Sequence, residues 1–273
     1  MRQLLATKHL GGLRKRNCME NKKQYHIGLK KGDIGKYVLL PGDPGRTALI
    51  AKFFDDAKEI ASNREFRTFT GNIIGYDGKR IKISTTSTGI GCPSTAIAVE
   101  ELIKAGADTF IRVGTAGSLQ KNIGLGDLVV STASVREEGT TRQYVPLSYP
   151  AVADLNVTNA LIESAKKAKV KYHYGITHCK DAFYIEWPEN LPLLEYNKFM
   201  WKTWQNSNVL ATAMESSALF VVSSIRKVYA GEVLAIVGLT HSNRPVIKKV
   251  GIEDAIRVAI ESIKRMAYKR VRV

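Results

Sequence analysis

The sequence has little cysteine and no long apolar run, and both shortages restrict the class of protein that it encodes. Among its 273 residues the cysteines are Cys18, Cys92 and Cys179, and their spacing matches neither a zinc site nor a redox motif. This scarcity favours a reduced, cytoplasmic protein without a disulfide framework. No segment approaches the ~18 consecutive apolar residues of a membrane-spanning helix, so we expect no association with a membrane.

The glycine motifs of the common nucleotide enzymes are also missing. The chain contains no G-x-x-x-x-G-K-[ST] loop and completes no G-x-G-x-x-G fingerprint. Basic and aromatic residues do not alternate as they do in proteins that bind single-stranded nucleic acids. These absences argue against nucleoside triphosphates, dinucleotides and nucleic acids as ligands.

Acidic residues are too few to balance the basic ones, and the net charge is +16. Much of the excess lies at the two ends, because residues 1–23 carry seven basic residues against Glu20, and five more follow Glu261. We predict a flexible basic tail over residues 1–23 and a single domain over residues 24–273. A targeting segment of the mitochondrial type fits the tail loosely. Nucleic-acid binding through the basic ends is the alternative that the total charge leaves open.

From residue 24 onward, short β-branched runs alternate with longer amphipathic segments, which is typical of a layered α/β fold. The predicted strands are Lys36–Leu40, Arg80–Thr86, Asp108–Val113, Asp127–Ala133, Tyr172–Thr177 and Val233–Leu239. The predicted helices are Gly45–Phe54, Ser94–Gly106, Leu155–Ala168, Ser216–Val222 and Ile252–Ala267. We expect the Ser94 hydroxyl to cap its helix and Gly106 to end it.

Three glycine-rich turns follow predicted strands, at residues 42–46, 88–91 and 114–117. Glycine lets backbone N–H groups approach an anion closely, and Arg46 and Arg112 stand beside two of the turns. Arg112 lies inside an apolar strand, where a guanidinium is costly unless it has an anionic partner. Two arginine forks with Thr115 would hold a phosphate-sized dianion, whereas ordinary salt bridges to carboxylates are the competing interpretation.

Several longer segments resemble one known family. They are residues 38–46 (VLLPGDPGR), 62–66 (SNREF), 87–94 (STGIGCPS), 110–115 (FIRVGT) and 214–216 (MES). Together they resemble the hexameric nucleoside phosphorylases, and residues 25–29 and 149–154 are most similar to the uridine phosphorylase branch. The resemblance implies a three-layer α/β/α fold around a central twisted mixed β-sheet.

The resemblance also implies a role for individual residues. Phosphate would be bound by Gly42, Arg46, Arg112 and Thr115, with Arg64 reaching the phosphate of a neighbouring subunit. Ribose would be bound by Met214 and Glu215, beside Thr115, with His26 crossing a dimer interface to the 5′-hydroxyl. Gly117 and Phe183 would line the base pocket, followed by Glu186 and Trp187. Glu65, Ile90 and Ser94 match positions that hold a monovalent cation, such as K⁺, between subunits.

The base pocket departs from the family pattern. Uridine phosphorylases carry a Gln and an Arg shortly after the phenylalanine, whereas here Glu186 and Trp187 occupy that stretch. Glu186 can accept from a ring N–H, but a carboxylate cannot donate to a carbonyl oxygen. Ala213 replaces a common glutamate, and no aspartate follows the last strand, where His241 is the nearest proton donor.

The implied activity is that of a pentosyltransferase in nucleoside salvage, which converts uridine and phosphate to uracil and α-ribose 1-phosphate. Catalysis would depend on Arg46, Arg112 and Glu215, without an organic cofactor, in a hexamer built from dimers. Two alternatives remain. One is a phosphorylase for purine nucleosides or methylthioadenosine, and the other is a protein that binds nucleosides without turning them over.

Overall fold

The computed structural model describes residues 22–187, 191–240 and 246–270. Nearly all of the predicted basic tail therefore lies outside the described residues. The strands are β1 (Tyr37–Leu40), β2 (Asp55–Asn63), β3 (Phe66–Ile74), β4 (Arg80–Thr86), β5 (Thr109–Ser118), β6 (Leu128–Glu137), β7 (Ala151–Val152), β8 (Tyr172–Lys180), β9 (Ala211–Ala213), β10 (Tyr229–Leu239) and β11 (Val246–Ile247). The helices are α1 (Pro44–Ala51), α2 (Cys92–Ala105), α3 (Leu155–Ala168), α4 (Leu194–Asn206), α5 (Ser216–Ile225) and α6 (Ile252–Arg270).

The strands form one mixed sheet in the order β11-β10-β6-β8-β9-β5-β1-β4-β3-β2, with β7 on β6. An additional pairing joins β10 to β5, so that β5, β10, β6, β8 and β9 close into a ring. β1 runs parallel to both β4 and β5, and β10 also runs parallel to β5. The turns that follow these strands therefore meet at one edge of the sheet, which is where α/β proteins commonly bind ligands.

Helices cover both faces of the sheet, as predicted. α2 and α5 pack into one core, with Leu102 and Phe220 almost inaccessible to solvent. α1, α3 and α6 contribute to the other core, where Leu161 and Ile256 are buried. Each fully buried side chain of this size contributes roughly 1.5–3 kcal/mol to folding. No helix among the described residues is both long and apolar enough to cross a membrane.

The predicted start of α2 is wrong in one detail. The helix begins at Cys92, two residues earlier than expected, and Gly91 at its N-cap has no side chain to cap it. Pro93 in the first turn suits this start because its fixed φ is already helical. The Ser94 hydroxyl instead donates back to the carbonyl oxygens of Ile90 and Gly91, each at 3.4 Å. Gly106 ends the helix in a left-handed conformation, with a φ of 112°, as predicted.

Two thiols that are distant in sequence meet at the first residue of this helix. The Sγ atoms of Cys92 and Cys179 are 3.4 Å apart, and both side chains are buried. The sequence separation of 87 residues hides this proximity from any motif based on local spacing.

Candidate functional site

A cavity of about 710 Å³ opens where the turns after β1, β4 and β5 converge. Most residues that the sequence analysis named line it: Gly42, Arg46, Glu65, Ile90, Ser94, Arg112, Thr115, Gly117, Phe183, Glu186, Trp187, Met214 and Glu215. The size suits a small organic molecule together with an inorganic ion. Cationic groups from α1 and β5 lie at one end, and an aromatic cluster lies at the other.

The cationic end begins at the turn between β1 and α1. The Asp43 side chain accepts from the Gly45 N–H at 2.8 Å and caps α1, so Arg46 is held in the first turn of the helix. Nη1 of Arg46 donates to the Val113 carbonyl oxygen at 3.3 Å. Burial, followed by the positive charge of Arg112, lowers the pKa of Arg46. Two guanidinium groups held this close favour an anion between them.

Arg112 is buried at the centre of the site between two carboxylates. Its Nε donates to Glu232 at 2.9 Å, and its Nη2 donates to Glu215. Ser131 and Ser216 also donate to Glu232, which fixes that carboxylate. Within the described part of the chain, Nη1 of Arg112 is buried without a hydrogen-bond partner. The guanidinium thus combines two hydrogen-bonded nitrogens with a third, Nη1, whose N–H groups are free to donate to a ligand.

The free donor faces the first glycine turn. A Cβ built on Gly42 would lie 3.8 Å from Nη1 of Arg112 and 3.2 Å from the Gly89 carbonyl oxygen. Glycine therefore keeps open the space in front of the unpaired N–H groups. An acceptor placed there would remove the cost of leaving a buried donor unsatisfied.

Glu215 connects this anion-binding end to the middle of the cavity. It occupies the N-cap position of α5, but its side chain makes no capping hydrogen bond to the helix. Its carboxylate accepts instead from the N–H of Gly91 at 2.9 Å and of Met214 at 3.2 Å, besides Arg112. The Glu215 carboxylate therefore bonds to Arg112 and to the backbone around the cavity and does not cap α5. Gly91 adopts a φ of 95°, which favours glycine at the position that supplies this N–H.

The aromatic end is formed by the segment after β8. Phe183 and Glu186 belong to one turn of 3₁₀ helix, and the Phe183 ring lies 6.4 Å from the Trp187 ring. Phe183 is partly exposed to the cavity, while Glu186 is buried. Burial raises the pKa of Glu186, and the nearby ammonium group of Lys180 opposes that effect. Lys180 lies 2.7 Å from Glu186 and is itself 1% exposed.

A chain of hydrogen bonds supports Lys180 from behind. Its Nζ donates to the Thr212 hydroxyl at 2.9 Å, and that hydroxyl lies 3.1 Å from Nδ1 of His178. Nε2 of His178 lies 2.5 Å from Glu137. Burial lowers the pKa of His178, although Glu137 acts in the opposite direction. We assign a neutral imidazole that accepts from Thr212 and donates to Glu137, because this tautomer satisfies every group.

Two residues named from the sequence lie away from the cavity. Nδ1 of His26 lies 2.7 Å from Glu101, and the backbone N–H of His26 also donates to that carboxylate. Arg64 occupies the turn between β2 and β3 with a φ of 54°. Neither residue lines the cavity of its own chain. His241 lies outside the described residues.

The possible cation ligands form a group at the cavity rim. The hydroxyl of Ser94 lies 3.4 Å from the Ile90 carbonyl oxygen, and a Cβ on Gly89 would meet Glu65 at 2.7 Å and Ser94 at 3.2 Å. Carboxylate, carbonyl and hydroxyl oxygens are the ligands that hard cations prefer. The residues present therefore fit a monovalent cation.

Sequence reasoning missed three residues that organise the site, namely Lys180, Thr212 and Glu232. Lys180 ends a strand that was predicted to stop at Thr177, and Glu232 directly precedes the predicted strand Val233–Leu239. A charged residue that adjoins an apolar strand was the available signal in both cases. Thr212 carries no signal of its own, because a threonine in a short strand is ordinary.

Comparison with known proteins agrees with this geometry. The family model for the phosphorylase superfamily matches residues 36–268. A uridine phosphorylase of Treponema pallidum is 44% identical over 245 residues, covering 88% of this chain and 93% of the relative. A uridine phosphorylase of Thermococcus kodakarensis is 46% identical over 249 residues, covering 89% and 87%. A guanosine phosphorylase of Halorubrum lacusprofundi is 36% identical over 251 residues, covering 88% and 98%. The chain belongs to the phosphorylase superfamily.

Proposed function

We propose that this member of the phosphorylase superfamily is a pentosyltransferase that cleaves uridine with inorganic phosphate. The products are uracil and α-ribose 1-phosphate, as in nucleoside salvage. Two relatives named uridine phosphorylase, at 44% and 46% identity over most of the chain, support the choice of nucleoside. The observation that carries the proposal is the unpaired, buried Nη1 of Arg112 in a cavity that also contains Arg46 and Glu215.

Phosphate is the anion that these donors fit. Its oxygens accept from Arg46, Arg112, Thr115 and the backbone at Gly42, and Arg64 of a neighbouring subunit adds a further contact. The bound dianion then lies beside the anomeric carbon C1′ of the ribose. It both forms the new C1′–O bond and stabilises the positive charge that develops on the sugar.

Ribose is held by Glu215 and Met214. The Glu215 carboxylate has about one acceptor position left, on Oε1, after its bonds to Gly91, Met214 and Arg112, because two oxygens offer about four. One of the 2′- and 3′-hydroxyls of the sugar takes this position, the other can replace the long bond from the Met214 N–H, and His26 of a neighbouring subunit contacts the 5′-hydroxyl. As the C1′–N bond breaks, its electron pair leaves with the base. The proton that phosphate loses balances the proton that the base gains.

The protein assembles from dimers and is cytoplasmic. Subunits pair so that Arg64 and His26 complete a neighbour's site, and three such dimers form a hexamer. Glu65, Ile90 and Ser94 hold a monovalent cation at the rim, which stabilises the interface and takes no part in bond breaking. The basic segment 1–23 precedes a single domain over residues 24–273.

Purine nucleosides are the second candidate substrates. The relative named guanosine phosphorylase is 36% identical over 88% of the chain, and the cavity of about 710 Å³ is large enough for a purine nucleoside and phosphate. Nucleoside binding without turnover is the third possibility, since the usual Gln and Arg of the pyrimidine pocket are replaced.

Release of free base from purified protein tests the proposal directly. Uridine, thymidine, inosine, guanosine and adenosine are each assayed with and without phosphate, and Arg112→Ala serves as the inactive control. Phosphate-dependent release of uracil that Arg112→Ala abolishes is the expected result. Release of purine bases alone would select the second candidate, and binding without release of any base would overturn the enzymatic proposal.

A further inference from the structure

An oppositely charged pair is buried at the base end of the cavity. Nζ of Lys180 lies 2.7 Å from Glu186, and the two side chains are 1% and 5% exposed. Both residues line the cavity beside Phe183. A buried ion pair of this kind stabilises a fold little better than apolar residues of similar volume. Its position against the cavity therefore calls for a ligand-related explanation.

The pair retains bonding capacity that points toward a ligand. An ammonium group has three N–H donors, and Lys180 directs two of them to Glu186 and Thr212. Glu186 bonds to Lys180 through Oε1, whereas Oε2 would lie 3.6 Å from a Cβ on Gly117. Lys180, Glu186 and Gly117 all line the cavity, so Oε2 lies at its wall. One donor and one acceptor are available side by side.

A chain of hydrogen bonds through Thr212 and His178 holds Lys180 in place. Thr212 accepts from Lys180 and donates to His178, which in turn donates to Glu137. Trp204 donates to the same Glu137 carboxylate at 2.9 Å. These bonds restrict Lys180 to one orientation, so its remaining N–H has a defined direction. His178 and Thr212 are positioning residues in this arrangement.

We propose that Lys180 and Glu186 together select nucleosides whose base carries a carbonyl oxygen next to a ring N–H. Lys180 donates to the carbonyl oxygen, and Glu186 accepts from the neighbouring N–H. This assignment rests on the proposed nucleoside phosphorolysis and specifies the base that it accepts. Uracil and thymine present this edge at O4 and N3–H, and hypoxanthine and guanine present it at O6 and N1–H.

Bases with an amino group at that edge are rejected by the same pair. Cytosine and adenine place an amino donor against the Lys180 ammonium and an unprotonated ring nitrogen against the Glu186 carboxylate. Both contacts are repulsive and leave buried polar groups unsatisfied. Sites built to hydrogen-bond a substrate discriminate strongly against analogues that cannot form those bonds.

Lys180 also offsets the repulsion between the Glu186 carboxylate and the negative charge on the departing base. The departing base carries negative charge that is shared with its carbonyl oxygens. The ammonium group contacts the oxygen where this charge collects, while Glu186 remains at the N–H. The lysine therefore supplies the donor that the absent Gln and Arg would otherwise provide.

The test compares matched substrates in matched variants. Values of kcat/KM are measured for uridine against cytidine and for inosine against adenosine. The double variant Lys180→Met, Glu186→Leu replaces the pair with apolar side chains of similar size. The control, Lys167→Met with Glu261→Leu, removes an ion pair of the same 2.7 Å length on the surface. Thermal melting of each protein verifies folding.

In at least one matched pair, the wild-type protein and the control should prefer the base that has a ring N–H beside its carbonyl by roughly 10³-fold or more. In the double variant this preference should fall to within about tenfold while the melting temperature is retained. Should that variant fail to fold, Glu186→Gln provides the same test. Its amide can donate to the unprotonated ring nitrogen of cytosine or adenine, so the preference should fall by at least about tenfold.

Calorimetric binding of free uracil and cytosine, in the presence of phosphate, separates this inference from the proposed function. If the wild-type protein cleaves uridine and the double variant discriminates equally well, base reading by the pair is wrong and phosphorolysis stands. If no nucleoside is cleaved but uracil is bound over cytosine only when the pair is intact, the pair reads the base and the enzymatic proposal is wrong. Equal binding of both bases without cleavage overturns both.

Discussion

Arg112 and Glu215 form an ion pair whose two side chains are each only 5% exposed. The pair joins the middle of β5 to the N-cap of α5, across 103 positions of sequence. Arg112, proposed to bind phosphate, and Glu215, proposed to bind ribose, are thus hydrogen-bonded directly to each other. A change at one of them should affect the binding of both substrates.

Arg112→Lys should reduce kcat/KM for phosphate by about 10²–10³-fold, because a compact ammonium group lacks the planar fork whose separate nitrogens reach Glu215, Glu232 and the anion. The KM for uridine should rise as well, since Glu215 loses its partner. Steady-state kinetics with each substrate varied in turn measures both effects. Arg257→Lys changes an exposed pair on α6 and is the control. Unchanged phosphate kinetics in Arg112→Lys would show that Arg112 does not bind phosphate.

Glu232→Ala should lower the free energy of unfolding by about 3–5 kcal/mol, because Arg112 would keep a buried charge without this carboxylate. Glu163→Ala removes a pair on the surface and should cost no more than about 1 kcal/mol. Urea denaturation of the two variants measures the difference. Equal losses would mean that Glu232 does not balance the charge of Arg112.

Gly42→Ala should raise the KM for phosphate by about tenfold or more, because the new Cβ would intrude 3.8 Å from the free Nη1 of Arg112. Gly124→Ala is a suitable control, since nothing lies within 4 Å of a Cβ at that position. Initial rates at increasing phosphate concentration provide the measurement. A normal KM in Gly42→Ala would place the anion elsewhere.

His178 should make the stability of the protein depend on pH. Burial lowers its pKa below the ordinary 6.5, so the unfolded chain binds the proton more readily than the folded one. The free energy of unfolding should therefore fall as pH decreases below 6.5, by up to about 1.4 kcal/mol per pH unit, until the lowered pKa is reached. Below that pKa no further loss arises from this group.

His178→Gln removes this contribution, because a glutamine does not titrate. Urea denaturation between pH 8 and pH 5 should give a shallower decline for the variant than for the wild-type protein. Curves that stay parallel over the whole range would show that His178 is protonated equally in the folded and unfolded states.

Arg64→Ala and Arg112→Ala should each be nearly inactive alone but regain activity when the two proteins are unfolded together and refolded. A mixed dimer contains one site with both arginines intact, so random pairing should restore about a quarter of the wild-type activity. The assay is uracil release after refolding, with each variant refolded separately as the control. No recovery would mean that Arg64 does not act in a neighbour's site.

Local sequence patterns were sufficient to predict most of the strands and helices around the site. β-branched runs predicted β1, β4, β5 and β10, and apolar residues at helical spacing predicted α3 and α6. Arg112 stood out because a guanidinium within an apolar strand requires a partner. The β2–β3 hairpin and α4 were not predicted. Exposed residues dominate β2, polar residues interrupt the apolar ones in β3, and no α4 residue is buried, so none of these segments shows the clear apolar pattern on which such predictions depend.

The sequence by itself determined the family, the α/β layering and most of the residues that line the cavity, because each can be recognised from a short contiguous stretch of sequence. Only the tertiary structure decided what those residues touch. Arg112 meets Glu232 across 120 positions, and Lys180 reaches Thr212 across 32. These contacts follow from the closed pairing of β5, β10, β6, β8 and β9, whose register depends on strands far apart in the chain. No local pattern specifies such a register, because strand pairing is set by the packing of the whole sheet.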